Sequence, residues 1–566
     1  MIASPAVRFY TKRLLVIGGA AGLVLTAVLL IYWDRSSHQP LSRFAPDGVP
    51  VFIEIKDPLN LLERLSSTQA WKSLASELDL PDTLNGLNLL TEALRFSGGD
   101  AGSLRSVWRS QLGLIVSGFE MSDGRITPYV TLIIDSQESG DDLIHLASRQ
   151  IPMLLRRAYG DVATESYEHG RSKVMRYKSP DKLHQLLWTV VNRSLLIANR
   201  EEAIQLTIDT AAGRRPSLKD NPHFQAIQAT PTRPLSGYFS TKGITQALRA
   251  AQKGDTRHHR MLTGLLEILV GSFDSSVMYE MDVEQGAVVE RYYLSGNPER
   301  DFDMTRLVKI PEGIPEIVKV IPQMTKGFTI LRCAKLGETT DSLSAMFLQR
   351  LPVLSRAMIQ EAAGEMKRSL GLASEETILD ALGDEAAIVE SDDPNLLFII
   401  ATKNRAKLAA LVGRYLQRDG AKVIQTQHRG FEIYSSSDQH RQSFCFQTQH
   451  LFAGPSSLIK QAIDAQAAGA TLAQNPDLLS RIREASPGAF EISVRFEVED
   501  NIQLIGELLA RLARDGYTKR GVEPTRLRTL VHSWPPTVRV SRPLPGGIQT
   551  ETRSPLGMGM LMIRWL

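Results

Sequence analysis

The body of this chain is written twice, and no other feature narrows its possible folds as much. Leu196-Ile197-Ala198-Asn199, followed by a helical pattern through Asp209, recurs as Leu451-Phe452-Ala453-Gly454 running through Asp464. Asn221-Pro222 recurs as Asn475-Pro476. Ser272 to Gly296 sets against Ser533 to Gly557 without a gap, aligning Phe273 with Trp534, Val277 with Val538, Gly286 with Gly547 and Glu290 with Glu551. The shift of about 254 to 261 residues is a domain-sized period, well beyond the roughly 20–50 residues of a solenoid repeat. Catalysis normally needs one asymmetric site, so a duplicated body points first to a cleft, a scaffold or a binding surface.

Each copy opens with an alternating strand pattern, Val49 to Ile55 and Gly327 to Cys333, followed by helical spacing of apolar residues. Strand pairs follow around Ser122-Asp123-Gly124 and Asp392-Asp393-Pro394-Asn395, and again around His169-Gly170 and His428-Arg429-Gly430. Strands outnumber helices and many are joined by hairpin-length turns. The expected class is α+β: two tandem related domains, each an antiparallel sheet with helices packed on one face. The domains are expected at 47–296 and 326–557, with glycines 286 and 547 at equivalent hairpin turns that need positive φ. Between them, 297–325 carries Pro298, Pro311, Pro315 and Pro322 and reads as a linker or structured crossover. The apolar tail 558–566 is too short to span a bilayer as a helix and is expected to dock on the body.

Leu14 to Trp33 is an uncharged run of about 20 residues, enough for a helix to cross a hydrocarbon core of roughly 30 Å. Arg8, Lys12 and Arg13 precede it, Asp34 and Arg35 follow it, and Tyr32 and Trp33 stand where an interfacial aromatic belt would be. The expectation is a transmembrane helix at 14–33, a cytoplasmic N-terminus at 1–13 and a juxtamembrane linker at 34–46. The bulk would then be periplasmic, on a bacterial inner membrane crossed once. A cleaved signal peptide would have a shorter apolar region and a small-x-small site, which Leu30-Ile31-Tyr32-Trp33 does not offer.

With 43% hydrophobic and 22% charged residues among 566, the chain has ordinary globular composition and ample material for two cores. A formal net charge of +3 gives no bulk pull on nucleic acid, and no nucleic-acid partner is expected. The two cysteines, Cys333 and Cys445, lie in apolar strand patterns and read as buried free thiols.

Ser457-Leu458-Ile459-Lys460 matches a Ser-x-x-Lys pattern in which a lysine can deprotonate a serine. Its companion motifs are missing, and the first copy has Glu202 and Gln205 instead, so an N-cap serine at 456 or 457 beside an exposed lysine is the expectation. His258-His259 are adjacent and diverge on any regular element. Glu390, Asp392 and Asp393 lack the glycine and distal glutamate of a calcium loop, so neither group makes a metal site. No cofactor motif is present. His169 and His428 recur near a glycine, which reads as a turn preference.

A basic stretch lies near the end of each copy: Arg249, Lys253, Arg257 and Arg260 in the first, and Arg511, Arg514, Lys519, Arg520, Arg526 and Arg528 in the second. Matched cations suit an anionic lipid, a phosphate-bearing envelope polymer or an acidic protein partner, while solvated cations at helix C-termini account for the same residues.

Val49-Pro50-Val51-Phe52-Ile53-Glu54-Ile55-Lys56-Asp57 leading into Leu61 to Leu74, echoed by Pro234 to Leu248, resembles bacterial single-pass membrane-anchored proteins of a domain-of-unknown-function type. The resemblance implies an envelope location and no enzymatic activity. The expected function is therefore a membrane-anchored periplasmic binding or scaffolding protein without catalysis. A lipid or hydrophobic-ligand carrier is the alternative, and an envelope serine hydrolase the second.

Overall fold

The structure is a computed structural model. Apart from short gaps and isolated residues elsewhere, it describes residues 40–78, 110–225, 233–245, 276–295, 308–334, 379–496 and 524–557. In the first repeat β1 (Val51–Ile55) lies between β2 (Gln111–Ser122) and β8 (Leu235–Ser240), antiparallel to both. From β2 the ladder runs through β3 (Arg125–Asp135), β7 (Ser194–Ala198), β6 (Gln185–Val191) and β5 (Ser172–Lys178) to the edge strand β4 (Ala163–His169). From β8 it runs through β9 (Ser276–Glu284) to β10 (Ala287–Ser295).

Every pairing recurs ten strands later. Thus β11 (Gly327–Arg332) lies between β12 (Leu382–Glu390) and β18 (Glu491–Arg495). One arm continues through β13 (Leu396–Thr402), β17 (His450–Gly454), β16 (Ser443–Phe446) and β15 (Phe431–Ser436) to β14 (Val423–His428). The other continues through β19 (Thr537–Leu544) to β20 (Gly547–Ser554).

The expected two separate sheets are in fact one. β10 and β20 pair antiparallel from Val288 opposite Ser554 to Ser295 opposite Gly547, which makes a single sheet of 20 strands. Each of these strands ends its repeat with an unpaired edge, and pairing the two edges satisfies both rows of backbone groups. Two further corrections to the expected class concern helices. They lie on both faces of the sheet, because neighbouring apolar residues of one strand feed opposite cores. Ile134, Trp188 and Leu195 pack under α3 (Gly140–Tyr159), whereas Ile133, Leu187 and Leu196 pack under α4 (Glu201–Ala211). In the second repeat Phe446 and Leu451 face α5 (Arg405–Gln417), while Ile399 and Phe452 face α6 (Ser456–Ala467). Secondly, no helix among the described residues is long and apolar enough to cross a membrane, and the transmembrane helix expected at 14–33 lies outside the described residues.

Helix starts follow local chemistry. Asp57 accepts the Asn60 N–H at 2.9 Å ahead of α1 (Pro58–Ser66), and Asn475 accepts the Leu478 N–H at 3.0 Å ahead of α7 (Pro476–Ala485), each with proline in the first turn. Two helices tie the repeats together: α2 (Gln69–Leu78) contributes Ala70 and Leu74 to a cluster with Leu527 and Val531 of α8 (Pro524–His532) and with Trp534.

From residue 308 on, the proline-rich stretch before the second repeat contributes to its core. Ile317, Val318 and Ile321 are buried there, in and beside a 3-10 turn over Glu316–Lys319. The counterpart is the Leu41–Arg43 turn, and Pro46 bridges to Ser217 as Pro322 does to Thr471.

The ungapped match of the last strands is displaced by one residue. The turn glycine of the second repeat is Gly546 at φ +81°, not Gly547, against Gly286 at +78° in the first. Gln285-Gly286, both at positive φ, suits a primed hairpin turn, whereas Pro545-Gly546 suits a turn with proline first and a left-handed glycine second. Gly547 is glycine for another reason: a Cβ there would stand 2.0 Å from the Leu294 carbonyl of β10. The structural equivalents are then Met278 with Val538, each in its own repeat's main core, and Arg291 with Glu551. A one-residue slip moves every side chain to the other face, so this register decides which residues share a site.

Candidate functional site

Charged side chains concentrate where the repeats join. Arg291 and Glu551 face each other across the β10–β20 pairing, with Arg291 Nε donating to Glu551 Oε2 at 2.8 Å and Nη1 lying 3.0 Å from Glu284 Oε1. Arg553 reaches Glu551 at 3.0 Å, and Arg233 reaches Asp282 and Glu284 at 3.1 Å each. On the opposite face Tyr279 donates to the fully buried Glu290 at 2.7 Å, and burial pushes the Tyr279 hydroxyl upward. Most of these groups pair with one another, although Arg233 Nε is buried without a hydrogen bond and lies 4.0 Å from Glu280. Their work is to lock two sheets into one register.

A second arrangement occurs once in each repeat. His169 Nε2 lies 2.8 Å from Asp209 Oδ1 near the end of α4, and His428 Nε2 lies 3.0 Å from Asp464 Oδ1 near the end of α6. Arg214 joins the first pair and Arg429 the second. Burial raises the Asp209 and Asp464 carboxyls, but hydrogen bonds from the arginine and histidine outweigh it and hold both below the usual carboxylate range. The recurrence expected as a turn preference is thus a clasp between a hairpin tip and a helix end.

Among the described residues a half-open cleft of about 320 Å³ lies on the α3 face of the first repeat. Leu155, Val162, Tyr177 and Leu186 line it, and Tyr159 at the end of α3 stacks on His184 with centroids 5.2 Å apart. Its polar lining is held in place. Asn199 accepts the Val130 N–H and donates to the Pro128 carbonyl, both at 2.8 Å, and Arg200 donates to Glu120 at 2.7 Å. Ser179, Asp181 and His184 share one loop, yet the Ser179 hydroxyl bonds to Asp181 and to the backbone of His184, not to its imidazole. A nucleophile needs its base on the hydroxyl, so this loop is a clasp and not a hydrolytic triad.

The other sequence candidates fall as follows. Helix α6 is capped at Pro455 without a side-chain bond, not by Ser456 or Ser457, because Gly454-Pro455 leads straight into the helix. Ser457 is exposed. Glu390 pairs with Arg495 at 3.2 Å, while Asp392, Asp393, His258 and His259 lie outside the described residues. Among the described residues no group of three His, Cys, Asp or Glu side chains is placed to hold a metal ion. Cys333 and Cys445 are free thiols, the second pushed up to about 11 by burial. Arg526 and Arg528 stand exposed on α8, whereas Arg249, Lys253, Arg257, Arg260, Arg511, Arg514, Lys519 and Arg520 lie outside the described residues. Sequence reading missed the cleft, whose lining comes from α3, β3, β5, β6 and the start of α4, and only the apolar run Leu186-Leu187-Trp188 signalled a second covered face there.

Residues 366–489, which span β12 to α7, match the family described as a protein of unknown function, DUF3352. No curated protein and no solved structure matches the chain.

Proposed function

We propose that this chain is a non-catalytic binding or scaffolding protein of the cell envelope, with its body outside the cytoplasm. The observation that carries the reading is the cleft beside α3: an apolar floor under polar groups already engaged with one another, which can grip an apolar group but offers no poised nucleophile. Its volume of about 320 Å³ sits at the bottom of the roughly 300–1,000 Å³ range of ligand sites. That suits an apolar side chain of a partner or a short acyl segment. The exposed Arg526 and Arg528 add a surface on α8 suited to anionic lipid or envelope polymer. The envelope location is supported by the sequence alone, through the uncharged run at 14–33 behind Arg8, Lys12 and Arg13.

A charge placed in the floor is expected to abolish apolar binding. With Leu186→Asp, the affinity for an anilinonaphthalene sulfonate probe should fall roughly tenfold or more, since losing a leucine contact removes about 1.5–3 kcal/mol and the carboxylate repels the sulfonate. Unchanged probe affinity in a folded variant would remove the cleft from the reading. The same floor favours a second reading, a carrier of small apolar ligands, and solvent extraction separates the two. A carrier yields a stoichiometric lipid by mass spectrometry, and a partner-gripping module does not. For location, a reporter active only outside the cytoplasm and fused after Leu566 is expected to be active, and an inactive fusion would place the body in the cytoplasm.

A further inference from the structure

Among the described residues the twenty-stranded sheet has two open edges, β4 and β14, each hydrogen-bonded on one side only. They are defended differently. β4 carries Glu165 and Glu168, with Glu165 bonded to Lys178 on the neighbouring strand, and charge on an edge discourages pairing with other chains. β14 reads Val-Ile-Gln-Thr-Gln-His, has no carboxylate, lysine, arginine or proline, and leaves Val423 36% and Ile424 47% exposed. Its hydrogen bonds to β15 also show which groups are spare. Ser437 donates to the Lys422 carbonyl at 2.8 Å, and bonding alternates along an antiparallel strand, so residues 422, 424, 426 and 428 face β15. The backbone N–H and C=O groups of Val423, Gln425 and Gln427 point outward.

We propose that β14 pairs with β14 of a second copy of this chain, antiparallel about a two-fold axis at Gln425, so that the sheet runs from one molecule into the next. Only this register uses all three outward residues within the strand: Val423 opposite Gln427, Gln425 opposite itself, and Gln427 opposite Val423. It brings no carboxylates together, whereas two β4 edges would put Glu165 and Glu168 of each copy into one ladder. Pairing β14 with β4 joins unlike edges head to tail and closes only where the rotation completes a ring, while β14 on β14 closes after two copies. The protein already contains the same joint, since β10 and β20 meet edge to edge in antiparallel fashion.

Cysteine pairs read this register. Directly opposed residues of a hydrogen-bonded pair have Cα atoms about 5.5 Å apart, within the roughly 4.4–6.8 Å a disulfide spans. Under mild oxidation the full chain with Gln425→Cys is expected to give a product of twice 62.7 kDa on non-reducing gels, above the background of the unsubstituted chain. Val423→Cys alone is expected to give none, because its twin stands about 14 Å away at about 3.4 Å per residue. Val423→Cys mixed with Gln427→Cys is expected to cross-link. Gln425→Pro removes an outward donor without breaking a bond to β15, so it should sediment as a single chain with an unchanged circular dichroism spectrum. Ser166→Pro on β4 should leave the dimer intact. An unsubstituted chain that sediments as one copy at its highest soluble concentration overturns the proposal. So does a dimer that persists in a folded Gln425→Pro chain, or cross-linking of Val423→Cys as efficient as that of Gln425→Cys.

Discussion

Replacing Arg332 by alanine is expected to cost the second repeat about 3–5 kcal/mol, the largest single-site loss this structure leads us to expect outside the seam. The side chain at the end of β11 is fully buried, and its guanidinium donates to the carbonyls of Ser486 at 3.1 Å, Pro311 at 2.7 Å and Gly313 at 2.9 Å. Glu385 lies 3.7 Å from Nε and itself accepts the Ile317 N–H at 3.0 Å. Burial pushes the Arg332 pKa down and the Glu385 pKa up, each opposed by the other's charge. Truncation removes the donor to the Pro311 and Gly313 carbonyls, while Ser486 keeps the Ala489 N–H at 3.1 Å, and it leaves the half-buried Glu385 carboxylate without its cation, which is where the cost arises. Lysine is expected to recover little, since an ammonium cannot present the planar fork that reaches carbonyls on two segments. The urea midpoint of the far-ultraviolet signal measures both variants. A midpoint unmoved in Arg332→Ala would mean that Ile317, Val318 and Ile321 hold the crossover by themselves.

That crossover shows where sequence reading reaches and where it stops. The duplication was legible because strands and turns carry local signatures: alternation in Val51 to Ile55, a glycine after His169, an arginine and glycine after His428. The repeated role was not legible, because it sits on different residues. The buried Glu54 of β1 accepts the Leu41 N–H at 3.2 Å, as the half-buried Glu385 of β12 accepts that of Ile317, so each glutamate tethers a short turn from a different strand. Helices on both faces had a signal that period-two reasoning underweighted. Leu195-Leu196-Ile197 is an uninterrupted apolar run, the mark of a strand covered on both sides.

The candidate sites divide in the same way. His169 with Asp209 and His428 with Asp464 recur in the sequence, and their partnership becomes visible only when the hairpin folds over the helix end, 40 and 36 residues further along. The cleft depends on five elements meeting and leaves no periodic trace. The joining of β10 to β20 spans 260 residues from Arg291 to Glu551, and no local pattern encodes a contact of that separation. The ungapped alignment further concealed it, by setting Glu290 against Glu551 when those side chains lie on opposite faces of the sheet.

Arg291→Ala is expected to cost about 3–5 kcal/mol and to loosen the two repeats from one another. Arg291 and Glu551 are equivalent positions that meet at the local two-fold axis of the seam. Two copies of one residue would face each other there in a symmetric pair of repeats, and this chain has opposite charges instead. Both are well shielded, at 10% and 18% exposure, so the ion pair is only weakly screened. Hydrogen bonding from Arg291 holds Glu284 below the usual carboxylate range. In Glu551 the upward push of burial is outweighed by hydrogen bonds from Arg553 and Arg291. Carboxylates depressed in the folded state contribute stability above their unfolded value of about 4.5 and lose it as pH falls through the folded values. The gap between the natural chain and Arg291→Ala should therefore be widest near neutral pH and close in acid. Arg291→Met together with Glu551→Leu is expected to recover part of the loss, because Glu551 is then not stranded and Glu284 keeps Arg233 at 3.1 Å, whereas the buried Glu280 directly opposite Arg291 still loses a neighbouring cation. Chemical denaturation of the natural chain, Arg291→Met, Glu551→Leu and the double variant at neutral and acid pH measures the coupling. Additive losses, or a gap that widens in acid, would show that the seam is held by its strand pairing alone.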